Sequence, residues 1–206
     1  KSDPIIGKLR ARIAVNQTVE IIEDDMADKY DLVVIGSGPG GYVAAIRAAQ
    51  MGMKTACVER AEMGGICLNW GCIPTKALLH SASLYHEMQR AGDFGIHAEN
   101  IEVDLTKMVK HSRSTANRLS KGIEYLFKKN KIDSYIGQGE IAEKGKVKVT
   151  DSDGKSQTLS AKNILIATGA RPREIPGLEF DGKQIITSKE AMILEKKPDH
   201  LIVIGA

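Results

Sequence analysis

Tyr30-Asp31-Leu32-Val33-Val34-Ile35-Gly36-Ser37-Gly38-Pro39-Gly40-Gly41 decides the fold. Its first half is a short apolar run, the pattern of a strand buried on both faces of a parallel sheet. Its second half has the spacing G-x-G-x-x-G. The residues that follow, Tyr42 to Met51, are alanine-rich and helical in period, with Gly52 as a stop. Strand, glycine turn and helix in that order make a dinucleotide-binding unit. Gly36 permits the tight turn, Gly38 lets the backbone approach a pyrophosphate, and Gly41 lets the helix close on the strand. Pro39 and Gly40 open the helix whose first N–H groups face the phosphates.

Outward from this unit, a second strand, Lys54 to Val58, ends in Glu59, about twenty residues past the glycines, where an acidic side chain binds ribose hydroxyls. Arg60 beside it either pairs with a phosphate or faces water. Helical patterns run from Pro74 to Arg90 and from Leu105 to Asn130, the second with an apolar stripe of Leu105, Met108, Val109, Leu119, Ile123 and Leu126. Strand signals follow at Ile132–Gly137, Ile141–Glu143 and Lys146–Thr150, with a turn at Asp151-Ser152-Asp153-Gly154. Asn163 to Ala167 returns as a buried strand. A ligand at its carboxyl end would meet Thr168, Gly169 and Ala170. The expected class is α/β: a Rossmann-like parallel sheet with helices on both faces and a small antiparallel β element.

Chemistry enters with Gly64-Gly65-Ile66-Cys67-Leu68-Asn69-Trp70-Gly71-Cys72-Ile73-Pro74-Thr75-Lys76. Two thiols separated by four residues at the start of a helix can come within disulfide distance, about 5.5 Å between Cα atoms. Pro74 suits a first helical turn, so Cys72 lies at or near a helix N-terminus, where the dipole favours a thiolate. Lys76, four residues on, shares its face. A structural disulfide fits poorly with only three cysteines and no secretion signal in view. Zinc fits poorly too, because the five histidines form no ligand grouping beside the pair, and no metal site is expected. The pair reads as redox-active, while Cys57, inside a strand-like run, reads as a buried core residue.

These segments together resemble the N-terminal FAD domain of the pyridine nucleotide-disulfide oxidoreductases. The residues that carry the likeness are Gly36 to Tyr42, Glu59, Gly64 to Lys76, and Ile166-Ala167-Thr168-Gly169-Ala170-Arg171-Pro172. Members acting on glutathione or mercuric ion share the two cysteines, but the Cys67–Lys76 motif is more similar to the members that oxidise dihydrolipoamide. Ile66 stands where many members have Thr, and Trp70 where many have Val; neither is expected to touch the chemistry. The resemblance implies FAD as cofactor, contacted also by Gly65, Lys76 and the backbone at Gly139, though Gly139 reads equally well as a turn glycine. It implies that Cys67 exchanges with the dithiol, that Cys72 faces the flavin as its thiolate partner, and that NAD is the final acceptor. The implied partners are a lipoyl-carrier domain of a 2-oxo acid dehydrogenase or glycine cleavage complex and a second copy in a homodimer. The implied location is the cytoplasm, or the mitochondrial matrix in a eukaryote. Two alternatives remain: another flavin disulfide reductase of this family, or a non-catalytic FAD-binding module.

The ends suggest three parts. Residues 1–28 mix acidic and basic side chains and read as an extension or linker, residues 29–200 as the FAD-binding domain with the redox pair, and residues 201–206 as the start of an NAD-binding domain. Leu201-Ile202-Val203-Ile204-Gly205-Ala206 looks like another first strand whose first turn glycine is Gly205. The acid/base histidine implied by the resemblance has no matching motif, so the isolated chain is expected not to turn over. A net charge of +3 over 206 residues, with 4% aromatics, gives no sign of a nucleic-acid surface. No apolar run approaches the roughly 20 residues of a membrane-spanning helix.

Overall fold

A computed structural model describes residues 29–205. Residues 1–28, read above as an extension, and Ala206 lie outside the described residues.

Strands β1 (Lys29–Ile35), β2 (Thr55–Glu59) and β3 (Asp133–Ile136) run parallel, joined on the other side of β1 by the long β6 (Ser156–Ile166). With β4 (Gln138–Glu143) and β5 (Lys146–Thr150) the order is β3-β2-β1-β6-β5-β4. β5 pairs antiparallel with both β4 and β6. The helices are α1 (Pro39–Gln50), α2 (Gly65–Asn69), α3 (Cys72–Gln89), α4 (Leu105–Lys129) and the short α5 (Ser188–Ala191).

Alternation along the strands sends side chains to two cores. Val34 and Cys57 point to the helical side, where Ala45, Leu68, Ile123 and Phe127 cover them. Val33, Ile35, Ala56 and Val58 point the other way, onto Val147, Val149 and Leu159 of the antiparallel strands. The Rossmann-like α/β class stands. Among the described residues, the second face is covered by the small antiparallel element rather than by a second layer of helices.

Several boundaries differ from the sequence reading for physical reasons. α3 starts at Cys72, not Pro74, which becomes its third residue; Thr75 N–H already donates to the Gly71 carbonyl at 3.0 Å. β6 begins at Ser156, seven positions before the expected strand, because its first residues are polar and exposed and so carry no apolar signal. Gly139 lies within β4 rather than in a turn before it. α4, capped by Asp104 accepting from Lys107 N–H at 2.9 Å, buries Ser112, Ala116, Ser120, Ile123 and Phe127. Leu119, expected on the buried stripe, is 38% exposed, since small residues let this helix approach its neighbours along an adjacent face. Leu201 to Gly205 forms no strand; Ile202 is 88% exposed, and no described strand offers it a ladder partner.

Candidate functional site

A cleft of about 540 Å³ opens at the carboxyl ends of β1, β2 and β6. Its floor is the glycine turn. A Cβ on Gly41 would stand 1.9 Å from the Gly36 carbonyl oxygen, and one on Gly36 2.3 Å from the Ala167 carbonyl oxygen. These two glycines therefore weld α1 to β1 and β6. Gly38 and Gly40 differ: a Cβ on either meets nothing within 4 Å. Gly38 caps α1 without any side-chain acceptor, leaving the first-turn N–H groups for an anion.

Glu59, at the end of β2, is buried yet lines the cleft. Its Oε2 accepts from Ser37 N–H at 2.8 Å and from the Ser37 hydroxyl at 2.6 Å, and Oε1 accepts from Ala61 N–H at 2.9 Å. A carboxylate offers about four acceptor sites, so capacity remains for a sugar hydroxyl. The Ser37 hydroxyl also accepts from Gly64 N–H at 3.1 Å. Gly64 is the N-cap of α2, so the carboxylate is tied to the segment that carries the cysteines.

Cys67 sits in the middle of α2 and Cys72 is the first residue of α3, joined by the turn Trp70-Gly71. Both are free thiols, Cys67 half-buried and Cys72 exposed. Burial raises the Cys67 thiol above its ordinary value, and the neighbouring Cys72 thiol, hydrogen-bonded to it, raises it further. A backbone hydrogen bond from Cys72 and the charge of Lys76 pull the other way. Cys67 is thus within hydrogen-bonding reach of Cys72 and within the field of Lys76. Asn69 holds α2 in place: its amide donates to the Met63 and Gly65 carbonyls, each at 3.0 Å, and the Ser120 hydroxyl stands 3.0 Å from its Oδ1.

Of the residues assigned to a cofactor from sequence, Gly36, Gly38, Pro39, Glu59, Arg60 and Gly65 line the cleft, as do Gly139, Thr168, Gly169 and Ala170. Gly40, Gly41, Lys76 and Gly205 are not in its lining. Gly41 is spent on packing, Lys76 faces outward from the second turn of α3, and Gly205 lies on the exposed stretch after Leu201. Cys67 lines the cleft and Cys72 does not.

Sequence reasoning also set Ile66 and Trp70 aside, yet both line the cleft. The Arg113 guanidinium stands 3.9 Å and the Lys189 ammonium 4.4 Å from the Trp70 ring centroid, and the indole N–H donates to Glu62 at 3.0 Å. Arg113 also donates to the Asn69 carbonyl. The missed residues Glu62, Thr187, Ser188 and Lys189 belong to this wall. The one available signal was the placement of the chain's single tryptophan between the two cysteines.

A mostly parallel sheet whose strand ends gather a glycine turn, a buried carboxylate and a cysteine pair has the layout of a dinucleotide-binding fold that carries two neighbouring thiols. Residues 30–206 match the family described as pyridine nucleotide-disulphide oxidoreductase, and the chain belongs to that family. It is 50% identical over 177 residues to the dihydrolipoyl dehydrogenase of Chlorobaculum parvum, a match covering 86% of this chain and 38% of that protein. It is 44% identical over 188 residues to the dihydrolipoyl dehydrogenase of Bacillus subtilis, covering 87% of this chain and 40% of that protein. Against the leghemoglobin reductase of Vigna unguiculata it is 47% identical over 182 residues, covering 87% and 35%. The crystal structure of LpdA from Mycobacterium tuberculosis superposes with a TM-score of 0.77 at 28% identity, covering 84% of this chain and 39% of that one. The chain thus spans about two fifths of the length of these relatives.

Proposed function

We propose that this chain is the FAD-binding and disulfide-carrying part of a dihydrolipoyl dehydrogenase, which oxidises the dihydrolipoamide of a lipoyl-carrier domain and delivers the electrons to NAD. The observation that carries this reading is one cleft holding both the glycine turn and Cys67, with Cys72 hydrogen-bonded beside it. The residues fit FAD. The open approach at Gly38 and the free N–H groups of α1 suit its pyrophosphate, Glu59 suits its adenosine ribose, and Thr168 to Ala170 border the remainder of the cleft. Residues 29–200 would form this domain and residues 201–206 would lead into the next. Bound FAD supplies the two-electron acceptor that links the thiol chemistry to NAD.

The chain's own part is thiol–disulfide exchange. With the pair oxidised, one substrate thiolate attacks Cys67, forming a mixed disulfide and expelling Cys72 as its thiolate. The second substrate thiolate attacks the mixed disulfide at the substrate sulfur, closing the lipoamide ring and releasing Cys67. Substrate loses two electrons and the cysteine pair gains them; the dithiol described above is the product state. Lys76 stabilises the Cys67 thiolate by charge, and burial of Cys67 favours its return to the bonded state. The homodimer and the location in cytoplasm or mitochondrial matrix belong to this proposal; among the described residues no helix is long and apolar enough to cross a membrane.

One observation favours the opposite assignment of the two thiols: Cys67 lines the cleft, while Cys72 is exposed. Single-cysteine variants decide. Cys72→Ser should trap a mixed disulfide at Cys67 with a lipoamide-derived thiol, and Cys67→Ser should keep long-wavelength absorbance with bound FAD. Exchanged behaviour would reverse the roles. The whole reading is tested by equilibrating the chain with FAD and titrating the oxidised pair anaerobically. Dihydrolipoamide should generate two protein thiols per chain much faster than glutathione does. Equal rates with both would sink the lipoamide assignment, and absence of flavin binding would sink the cofactor assignment.

A further inference from the structure

The bond between Ser37 and Gly64 joins two parts of the molecule that the proposed chemistry treats separately. Ser37 is fully buried, and its hydroxyl is the middle of a chain: Gly64 N–H donates to Ser37 Oγ at 3.1 Å, and Ser37 Oγ–H donates to Glu59 Oε2 at 2.6 Å. Next to this chain the backbones touch. A Cβ on Gly65 would lie 2.7 Å from Gly38 Cα, so the start of α2 rests directly on the glycine turn. Cys67 is three residues beyond Gly64 in the same single-turn helix. A helix of five residues makes few internal hydrogen bonds, so its position depends on its anchors. Three side chains supply them: Asn69 and Arg113 at its far end, and Ser37 at its start.

We propose that Ser37 is a positioning residue that couples occupancy of the nucleotide cleft at Glu59 to the placement and reactivity of Cys67. The proposal rests on the reading of the cleft as an adenosine-diphosphate site. Consecutive hydrogen bonds polarise one another, so the strength of the Gly64 anchor depends on how much of the Glu59 charge Ser37 receives. A ribose hydroxyl donating to the same carboxylate takes a share of that charge. It thereby weakens the pull on the Ser37 hydroxyl and, through it, on Gly64. The glycine turn is then a means by which the cofactor's sugar end adjusts the thiol, as well as a cradle for phosphate. Glu59 remains the group that would touch ligand; Ser37 acts only through it and through Gly64.

ADP is the informative probe, because it carries the ribose and pyrophosphate but has no flavin ring to shield the cysteine. The reduced full chain is alkylated with iodoacetamide, and modification of Cys67 is followed by peptide mass spectrometry with and without saturating ADP. In the wild type, ADP should speed alkylation of Cys67. Ser37→Ala should raise the ADP-free rate about tenfold, the upper end for loss of one neutral hydrogen bond, the one Gly64 N–H donates to the Ser37 hydroxyl. It should also lower the ratio of ADP-bound to ADP-free rates about twofold relative to wild type. The charge of ADP itself acts equally on both proteins and cancels in that comparison. Ser37→Thr, which keeps the hydroxyl, should restore the wild-type ratio. The same ratio in wild type and Ser37→Ala overturns the proposal while leaving the cleft assignment intact. If calorimetry detects no ADP binding to the wild type, the cleft assignment and the proposal fall together. Should Ser37→Ala not fold, the wild type still decides, since a Cys67 rate that ADP leaves unchanged or slows refutes the coupling.

Discussion

Gly41 and Gly38 stand three positions apart in one motif, and the structure assigns them opposite physical tasks, which a pair of alanine substitutions separates. In Gly41→Ala the new Cβ meets the Gly36 carbonyl oxygen at 1.9 Å, against a floor of 3.0 Å for real contacts, so α1 and the end of β1 must part by about 1.1 Å. Both sides of that contact are backbone, and no rotamer change relieves it. Overpacking of this kind costs about 3 kcal/mol, the upper end of the usual range. For a chain of this size that lowers the melting temperature by about 6–12 °C. Gly38→Ala places its methyl in open space and should melt within about 2 °C of the wild type. In the proposed FAD site that methyl would stand in the path of the pyrophosphate, so FAD affinity should fall at least about tenfold, or about 1.4 kcal/mol. Scanning calorimetry and flavin fluorescence titration measure the two quantities. A Gly41→Ala protein as stable as wild type, or a Gly38→Ala protein binding FAD normally, refutes the division of tasks.

Burial, followed by the charge of Glu59, pushes the Cys57 thiol from its ordinary 9.0 up to about 12. The native state therefore holds this proton longer than the unfolded one. Stability should fall as pH rises through about 9 toward 12, by up to about 1.4 kcal/mol per unit, and Cys57→Ala should flatten that slope in alkaline melting curves. Asn69→Ala removes the amide's bonds to the Met63 and Gly65 carbonyls, the first of which keeps the Ser120 hydroxyl as donor, and should cost about 1–2 kcal/mol in urea titration. A loss under about 0.5 kcal/mol would remove Asn69 from its anchoring role. Trp70 is the only tryptophan and its backbone N–H donates to the Ile66 carbonyl at 2.7 Å, within the turn between the cysteines. Its fluorescence should change when the pair is oxidised and stay constant in a Cys67→Ser, Cys72→Ser protein; constant wild-type emission would contradict that geometry.

What the sequence made legible was local. The strand, turn and helix of residues 30–50, the acidic end of β2 and the cysteine segment each declare themselves within a dozen residues, because glycine spacing, apolar runs and helix starts are short-range physics. Contacts closed by distant chain were invisible. Lys189 reaches Trp70 from far along the sequence, and the tail around Thr187 folds back onto the cleft without any motif that marks it. The first half of β6 escaped notice for a different reason: Ser156, Gln157 and Thr158 are exposed in an antiparallel ribbon, so burial left no apolar imprint. The identity of the second sheet face was equally hidden, since Val33, Ile35 and Val58 look the same whether strands or helices cover them.

The convergence of the site itself follows from topology rather than from any single motif. In a parallel sheet neighbouring strands end at the same edge, so their following loops meet. β2, β1 and β6 are consecutive neighbours, with Ile35 in register with Val58 on one side and Ile166 on the other. The loop after β1 is the glycine turn, the loop after β2 leads to Gly64 and the cysteines, and the loop after β6 is Ala167 to Ala170. Register thus brings the glycine turn and Cys67 together although 30 positions separate Ser37 from Cys67. Glycine makes the junction tight, as Gly65 against Gly38 and Gly41 against Gly36 show. The thiol can then be held by backbone contact and three side-chain anchors, Ser37, Asn69 and Arg113, while its own side chain lines the cleft.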